Sequence, residues 1–195
     1  MKILITGAAG YIGSKLIGSL LKANDISLAK DDLFEVVAYD NLMYNQTSLL
    51  QYVGNRAFRF VKGDIREIAT LRREIEKVDK IVHLAAWVGA PLCDTDQKAA
   101  TEINHHATAS IVACLSRDQE IIYPTSNSGY GIGGEDFCTE ETPLNPISVY
   151  GVSKVGGEES ILSHAKSTAL RLATVFGVSP RPRLDLLVND FTWKA

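Results

Sequence analysis

Short apolar runs alternate along most of the chain with segments whose apolar residues recur at helical spacing. Residues 3–6 form an apolar run that ends at a glycine, and residues 11–22 carry apolar side chains three and four positions apart. The same alternation predicts further strands at residues 35–39, 58–61, 80–84, 120–123 and 169–173. It predicts further helices at residues 65–77, 95–116 and 147–166, and the beginning of one more in residues 181–195.

Strands that alternate with helices in this way pair in parallel through right-handed crossover connections. The chain is therefore predicted to belong to the α/β class, with a doubly wound parallel sheet and helices on both faces. Two stretches interrupt the alternation. Residues 24–32 are mostly polar, and residues 127–145, which contain several glycines and a proline, are predicted to form a loop.

Composition and charge exclude several classes of protein. The 195 residues are 46% hydrophobic and 22% charged with a net charge of -3, which is ordinary for one globular domain and gives no basic surface for a nucleic acid. The three cysteines, Cys93, Cys114 and Cys138, are widely spaced and predict neither a disulfide framework nor a metal site. Because no apolar run suits a signal peptide or a membrane span, we expect a cytoplasmic protein that does not bind membranes.

Three glycines, Gly7, Gly10 and Gly13, follow the first predicted strand directly. At a junction between strand and helix, glycines let the backbone turn tightly and approach a pyrophosphate. The N–H groups at the start of the helix, around Tyr11 and Ile12, then face the phosphates. Small residues at this spacing also serve plain packing of a helix on a strand. The position immediately after an N-terminal strand favours a dinucleotide site.

Two aspartates at the ends of predicted strands suit the adenosine half of such a cofactor. Asp40 ends the second strand, where a carboxylate accepts both ribose hydroxyls and repels a 2′-phosphate, so NAD is favoured over NADP. The alternative is a turn aspartate before Asn41. Asp64, which precedes Ile65, could accept the adenine amino group, form a helix capping box with Glu67, or do both.

Tyr150 and Lys154 are four residues apart in a predicted helix and therefore lie on one face of it. An ammonium close to the phenol lowers the pKa of the tyrosine from about 10 toward neutrality, so that the phenol can take and return the proton of a hydroxyl. Ser126 precedes Tyr150 by twenty-four residues. This combination indicates oxidoreductase chemistry at an alcohol carbon.

The glycine loop, the two aspartates, Ser126 and the Tyr150–Lys154 pair follow one another along the chain as they do in the extended short-chain dehydrogenase/reductase superfamily. This superfamily includes the nucleotide-sugar epimerases and dehydratases, and the resemblance covers nearly the whole chain. The resemblance implies a Rossmann fold, NAD as cofactor and a nucleotide-sugar substrate. It implies that Tyr150 is the general base or acid, that Lys154 lowers its pKa and holds the nicotinamide ribose, and that Ser126 hydrogen-bonds the reacting hydroxyl.

Further motifs that carry the resemblance are His83-Leu84-Ala85-Ala86 and Asn104. In the superfamily the first motif lies beside the cofactor, with Ala85 and Ala86 lining the channel next to the nicotinamide. Asn104 would brace the helices of the active site. It belongs to the predicted cofactor-binding set, as do Asn41, Ile65, Leu84 and Tyr150.

The resemblance also narrows the reaction. The 4,6-dehydratases of this superfamily carry an Asp-Glu pair directly after the serine position, whereas this chain has Asn127 and Ser128, so dehydration is disfavoured. A 4-epimerase-like reaction, through transient oxidation of a sugar hydroxyl, is the prediction. The alternatives are an NAD-dependent dehydrogenase or reductase of another alcohol or ketone, and a non-catalytic dinucleotide-binding fragment. Thr174 stands where UDP-galactose 4-epimerases carry an asparagine, so the resemblance does not identify the sugar.

Members of the superfamily build their substrate pocket from a smaller C-terminal domain. We therefore expect an NAD-binding Rossmann domain at residues 1–177 and the truncated start of the substrate domain at residues 178–195, with a homodimer as a candidate assembly. We expect the 195-residue chain to bind cofactor but to turn over nucleotide sugars poorly by itself.

Overall fold

A computed structural model describes residues 1–26, 33–132 and 137–195. The described residues contain six strands: β1 Lys2–Thr6, β2 Glu35–Asp40, β3 Phe58–Lys62, β4 Lys80–His83, β5 Glu120–Ser126 and β6 Ser167–Leu172. Their α-helices are α1 Tyr11–Ile26, α2 Ile68–Ile75, α3 Ala90–Thr95, α4 Gln97–Thr101, α5 Ala107–Val112, α6 Val149–Leu162 and α7 Leu187–Lys194. The chain forms two compact units, one of Met1–Ala85 with Thr174–Ala195 and the other of Ala86–Ala173.

The first unit is built on β1 to β4, which pair in parallel in the order β3-β2-β1-β4. Almost every residue of β1 and β2 is buried, which explains why both strands are continuous apolar runs instead of alternating ones. Helix α1 packs Ile17 and Leu21 into the same core. The core cluster consists of Ile3, Ile5, Ala8, Ala9, Ile17, Leu21, Val36, Ala38, Leu49 and Phe58.

The second unit contains the parallel pair of β5 and β6, in a register that runs from Ile121 opposite Ser167 to Ser126 opposite Leu172. Helix α6 packs against β5, β6 and α5. It begins at Val149 because the side chain of Ser148, whose backbone is extended, accepts the N–H of Gly151 at 3.0 Å.

Parallel pairing in both units, with helices between successive strands, confirms the predicted α/β class with a parallel Rossmann-type sheet. Several boundaries differ from the prediction. Strand β5 continues three residues past its predicted end, because Pro124 takes its place in the ladder opposite Leu170 instead of ending the strand. Helix α2 begins only at Ile68, because Asp64 makes other contacts, which are described with the site.

The prediction of a single regular helix at residues 95–116 is wrong, because this region contains several short helical segments. Between α4 and α5 the chain takes a π-helical form at Glu102–His106, and a separate short helix, α3, precedes α4. Such insertions have no periodicity signature in the sequence, and they occur frequently at functional sites.

The predicted loop at 127–145 begins with a 3₁₀ turn at Asn127–Tyr130, and its residues 133–136 lie outside the described residues. The polar stretch predicted at 24–32 begins within α1, and its residues 27–32 also lie outside them. None of the helices in the described ranges is both long and apolar enough to cross a membrane.

Candidate active site

The glycine loop of the first unit leaves no room for a side chain at its first position. Gly7 has a φ of +65°, and a Cβ placed there would lie 2.6 Å from the backbone nitrogen of Ala85 and 2.7 Å from the carbonyl carbon of Leu84. The loop therefore passes directly over the residues that follow β4. Both features require glycine, because an L side chain is strained at this φ and the atoms it would meet are backbone.

The remaining predicted loop residues form the start of α1. A Cβ at Gly13 would lie 2.6 Å from the carbonyl oxygen of Gly7, so the loop is closed on itself. Gly10 accepts the N–H of Ser14 at 3.0 Å. Tyr11 and Ile12 begin the helix, where the first backbone N–H groups have no intrahelical acceptor. Glycine at these three positions keeps a Cβ out of the tight turn, and the start of a helix next to it offers the backbone N–H groups that suit a pyrophosphate.

Replacing Gly7 with alanine should lower the free energy of unfolding by about 2 kcal/mol or more, because the new methyl group combines backbone strain with a backbone clash. The matched control is Gly54→Ala. A Cβ at Gly54 would meet nothing within 4 Å, so that variant should unfold like the parent. Urea unfolding of the three proteins makes the comparison, and equal stability of Gly7→Ala and Gly54→Ala would contradict the description of the loop.

Asp40 holds the glycine loop through its carboxylate. One oxygen accepts the N–H of Ala9 at 3.0 Å and the other that of Leu42 at 2.8 Å, while only 7% of the residue is exposed. Burial raises the pKa of Asp40, and the two backbone hydrogen bonds oppose this effect. Because an ionised carboxylate is an acceptor only, two N–H donors suit the charged form and leave each oxygen a lone pair for a ribose hydroxyl.

Two residues close to Asp40, Ser48 and Leu42, were not predicted to take part in this region. Ser48 donates its hydroxyl to the carbonyl oxygen of Ala9 at 2.9 Å, so side chains hold both backbone groups of that residue. Leu42 has a φ of +56°, which is rare for a leucine. The sequence carries no signal for Leu42, since leucine does not favour this conformation.

The carboxylate of Asp64 is bound by Arg66, two positions later in the chain. Its carboxylate accepts the backbone N–H of Arg66 at 3.0 Å and two N–H groups of the Arg66 guanidinium, from Nε at 2.9 Å and from Nη2 at 2.8 Å. Asn41, which is exposed, donates to it at 3.1 Å. The side-chain hydrogen bond from Arg66 is the largest cause that lowers the pKa of Asp64 to about 2.

The capping-box alternative for Asp64 is wrong, because α2 begins at Ile68 and the side chain of Asp64 bonds Arg66 instead of the N–H of Glu67. Ile65 is buried. Contact of Asp64 and Ile65 with an adenine stays a prediction.

A buried polar pair joins the ends of β1 and β4. The hydroxyl of Thr6 lies 2.7 Å from Nδ1 of His83, and the same oxygen accepts the N–H of Ala85 at 3.3 Å. Since that oxygen accepts from Ala85, its own hydrogen can be donated to Nδ1. The pair fixes the backbone of Leu84 and Ala85 beneath the glycine loop. Leu84 was predicted to bind the cofactor and Ala85 to line its channel, and both roles stay predictions.

The second unit contains all three predicted catalytic residues. Ser126 ends β5, and its hydroxyl accepts the N–H of Ser128 at 3.1 Å and donates to the hydroxyl of the same residue, also at 3.1 Å. Tyr150 is half-buried in the first turn of α6. That turn approaches the Ser126 segment closely, because a Cβ at Gly151 would lie 2.9 Å from the carbonyl oxygen of Ser128.

Lys154 is buried with its ammonium against β5. It donates to the carbonyl oxygen of Pro124 at 2.9 Å, and its Nζ lies 3.8 Å from the centroid of the Tyr123 ring. Only 4% of the residue is exposed, and burial lowers the pKa of Lys154 to about 7. The four-residue spacing of Tyr150 and Lys154 gave no indication of these two partners.

Asn104 is fully buried in the π-helical segment. Its amide oxygen accepts the N–H of Trp87 at 2.8 Å, and its amide nitrogen donates to the carbonyl oxygen of Trp87 at 2.9 Å and to the hydroxyl of Ser153 at 3.1 Å. These contacts tie the backbone that follows Ala86, itself half-buried, to α6. They are the contacts of a brace, and a direct role of Ala86 or Asn104 in cofactor binding stays a prediction.

An ion pair between a half-buried arginine and a buried glutamate, which the sequence did not reveal, lies beside the Ser126 segment. Arg171 of β6 bonds the carboxylate of Glu158 at 2.8 and 2.7 Å, and it also donates to the hydroxyl of Tyr130 at 3.2 Å and the carbonyl oxygen of Glu140 at 3.0 Å. The guanidinium therefore connects α6 to the segment that follows Ser126.

Within the described part of the chain, the hydroxyl of Thr125 is buried without a hydrogen-bond partner, next to Ser126. A buried polar group left in this state costs about 1–3 kcal/mol. No group of three or more His, Cys, Asp or Glu side chains in the described ranges could hold a metal ion.

Comparison with known proteins identifies the family. Residues 3–190 match the NAD dependent epimerase/dehydratase family, and the chain belongs to it. The chain is 31% identical to the UDP-glucose 4-epimerase of Lactobacillus helveticus over 192 residues, which cover 92% of this chain and 53% of that protein.

Two solved structures with NAD bound are similar in fold. One is DesIV, the dTDP-glucose 4,6-dehydratase from Streptomyces venezuelae, with a TM-score of 0.85, 28% identity and coverage of 100% of this chain and 62% of that one. The other is the UDP-glucuronic acid 4-epimerase from Bacillus cereus, with a TM-score of 0.81, 28% identity and coverage of 97% and 61%. The chain thus spans about half of the epimerase from Lactobacillus helveticus and about three fifths of the two solved chains.

Proposed function

We propose that the protein is an NAD-dependent nucleotide-sugar epimerase of the 4-epimerase type. The observation that carries this proposal is the arrangement of Ser126, Tyr150 and Lys154 in one unit, without a carboxylate at the two positions after the serine. Family membership supports NAD dependence and a nucleotide-sugar substrate. The similar proteins include both 4-epimerases and 4,6-dehydratases, so the choice between the two reactions depends on residues of this chain.

The residues of the first unit would hold the cofactor. Gly7, Gly10 and Gly13 leave the cradle open, and the amides of Tyr11 and Ile12 would bind the pyrophosphate. Asp40, with a lone pair left on each oxygen, would accept the hydroxyls of the adenosine ribose.

The residues of the second unit would handle the proton. Bound NAD would accept a hydride from the sugar and later return it to the other face. Tyr150 would take the proton of the reacting hydroxyl and return it, and Ser126, whose hydroxyl is oriented by Ser128, would hydrogen-bond the oxygen that changes between alcohol and ketone. The Lys154 ammonium would hold the nicotinamide ribose and favour the phenolate.

The residues after Ser126 favour epimerisation over dehydration. Loss of water needs an acid for the departing hydroxyl and a base for the neighbouring C–H proton. Asn127 is exposed and Ser128 is engaged with Ser126, and neither side chain ionises in the required range. With no such pair, the ketone intermediate would be reduced again.

The extent of the two domains and the assembly are part of the same proposal. Residues 1–177 would form the NAD-binding domain, and residues 178–195 would begin the substrate domain, which would supply most of the contacts to the sugar. A homodimer is the proposed assembly.

Replacing Asp40 with alanine should relax the preference for NAD over NADP, because the variant lacks the negative charge that repels a 2′-phosphate. Calorimetric titration of the parent and the variant with each cofactor measures the ratio of the two dissociation constants. Asp79→Ala, which removes a carboxylate that accepts the backbone N–H of Lys2 at 2.7 Å, is the control and should keep the parent ratio. Tighter binding of NADP than of NAD by the parent protein would contradict the assignment of NAD as the preferred cofactor.

The experiment that tests the proposed function starts with the cofactor content of the purified protein. An epimerase regenerates its own NAD and has no need to release it, so NAD should copurify with the protein. Addition of UDP- or dTDP-sugars should then give the 4-epimer without accumulation of reduced cofactor. Accumulation of reduced cofactor in proportion to product would instead establish a dehydrogenase.

A further inference from the structure

The ammonium of Lys154 is in an environment that opposes its charge. Only 4% of the residue is exposed, and burial is the main reason for the lowered pKa of this lysine. An ammonium removed from water remains charged only if nearby groups replace its hydration. In the proposed reaction the charged form is required, since it must hold the ribose and favour the phenolate of Tyr150.

Two contacts replace part of this hydration, and both come from neighbouring residues of β5. The carbonyl oxygen of Pro124 accepts one N–H at 2.9 Å. The ring of Tyr123 lies beneath the nitrogen, 3.8 Å from ring centroid to Nζ, well inside the range of cation–π attraction. Because a lysine ammonium has three donors, one N–H remains for a ligand when one points to Pro124 and one to the ring.

The titratable groups around Lys154 do not replace the ring. Glu158, one turn later on α6, acts to keep Lys154 protonated, but its carboxylate is bound to Arg171 at 2.7 Å. Cys93 of α3 is buried, and burial raises the pKa of its thiol, so it is neutral near pH 7. Tyr150 lies on the same helix as Lys154 and is the group on which the ammonium is proposed to act.

We propose that Tyr123 is a positioning residue, and that the face of its ring holds the ammonium of Lys154 charged and directed toward the cofactor and Tyr150. The last part of this role rests on the proposed function. The hold on the ammonium rests on the contacts within the second unit alone.

The ring carries this role and the hydroxyl does not. The hydroxyl of Tyr123 donates to the backbone carbonyl of Asn104 at 3.4 Å, which is a long contact, and it also hydrogen-bonds the side chain of Thr108. Burial raises the pKa of Tyr123, so the phenol stays neutral. Phenylalanine at this position therefore keeps the contact between the ring and the ammonium of Lys154, whereas leucine fills part of the space without a π face.

The test compares the lysine pKa in the parent, Tyr123→Phe and Tyr123→Leu by nuclear magnetic resonance of protein with isotope-labelled lysine side chains. The Lys154 signal is assigned by its loss in Lys154→Met. In Tyr123→Phe the pKa of Lys154 should stay within a few tenths of the parent value. In Tyr123→Leu it should fall by about 1, which corresponds to the cation–π attraction of a desolvated ammonium.

Two further variants keep this test decisive. Tyr39→Leu removes an equally buried ring from the first unit and should leave the pKa of Lys154 unchanged, so it controls for general loosening. If Tyr123→Leu does not fold, Tyr123→Met takes its place, since methionine adapts to irregular space without an aromatic face. An unchanged Lys154 pKa in the leucine or methionine variant, or an equal fall in the phenylalanine variant, would overturn the proposal.

Affinity for NAD separates this proposal from the proposed function. Above the lysine pKa of the leucine variant but below that of the parent, the variant should bind NAD several-fold more weakly, with affinity restored at lower pH. A parent protein that does not bind NAD at any pH would refute the proposed function, while the comparison of lysine pKa values would still decide the role of Tyr123.

Discussion

Replacing Tyr150 with phenylalanine should lower kcat of the proposed epimerisation by about 10²–10⁴, the usual contribution of a general acid–base group. The variant loses only the hydroxyl, and the ring keeps its place in the first turn of α6. The affinity for NAD should therefore change little. Steady-state turnover and calorimetric titration with NAD, on the same preparations, measure the two quantities.

The control for Tyr150→Phe is Tyr52→Phe, which removes a hydroxyl that donates to the backbone carbonyl oxygen of Ser14 at 3.4 Å. That variant should turn over substrate like the parent. Near-normal turnover by Tyr150→Phe would exclude the proton transfer assigned to the phenol. A large loss of NAD affinity in the same variant would mean that the hydroxyl binds cofactor instead.

Replacing Arg171 with methionine should lower the free energy of unfolding by about 3–5 kcal/mol, because it leaves the carboxylate of Glu158 buried without its partner. The Glu158 side chain is only 4% exposed. The same change removes the bonds from Arg171 to Tyr130 and Glu140, so the segment after Ser126 should also become more accessible to proteases. Urea unfolding and limited proteolysis measure the two effects.

Two comparisons test the explanation of the Arg171 effect. In the exposed pair of Arg72 and Glu76 both side chains are more than half exposed, so Arg72→Met should cost less than about 1 kcal/mol. The double variant Glu158→Gln with Arg171→Met should be more stable than Arg171→Met alone, since position 158 then carries no carboxylate that has lost its arginine partner. A double variant as unstable as Arg171→Met would show that lost packing, and not the unpaired charge, is the cause.

Most of the fold could be predicted because its signals are local. The apolar runs of β1 and β2 are continuous since both strands are buried on two faces, and the glycines after β1 lie where the backbone meets Ala85. The end of β5 was missed, because Pro124 suggests a stop and only pairing with β6 extends the strand to Ser126.

Details of the site depended on particular side-chain contacts, some of them local and others between distant segments. Asp64 looks like a helix cap in the sequence, yet Arg66 takes its carboxylate. The positive φ of Leu42 follows from its hydrogen bond to Asp40, which no propensity reveals. The roles of Tyr123 and Arg171 arise from packing between β5, β6 and α6, so their positions in the sequence carry no sign of function.

Tracing the hydrogen at C4 of a nucleotide sugar tests whether the protein epimerises its substrate through transient oxidation at C4. The protein with its bound NAD, at a concentration equal to that of the sugar so that slow turnover is measured, is mixed with a UDP-sugar that carries deuterium at C4. Mass and magnetic resonance spectra of the product then locate the label. Epimerisation should give the 4-epimer with deuterium still at C4 and no net reduction of cofactor. Loss of water with deuterium found at C6, or deuterium accumulating on released reduced cofactor, would contradict it.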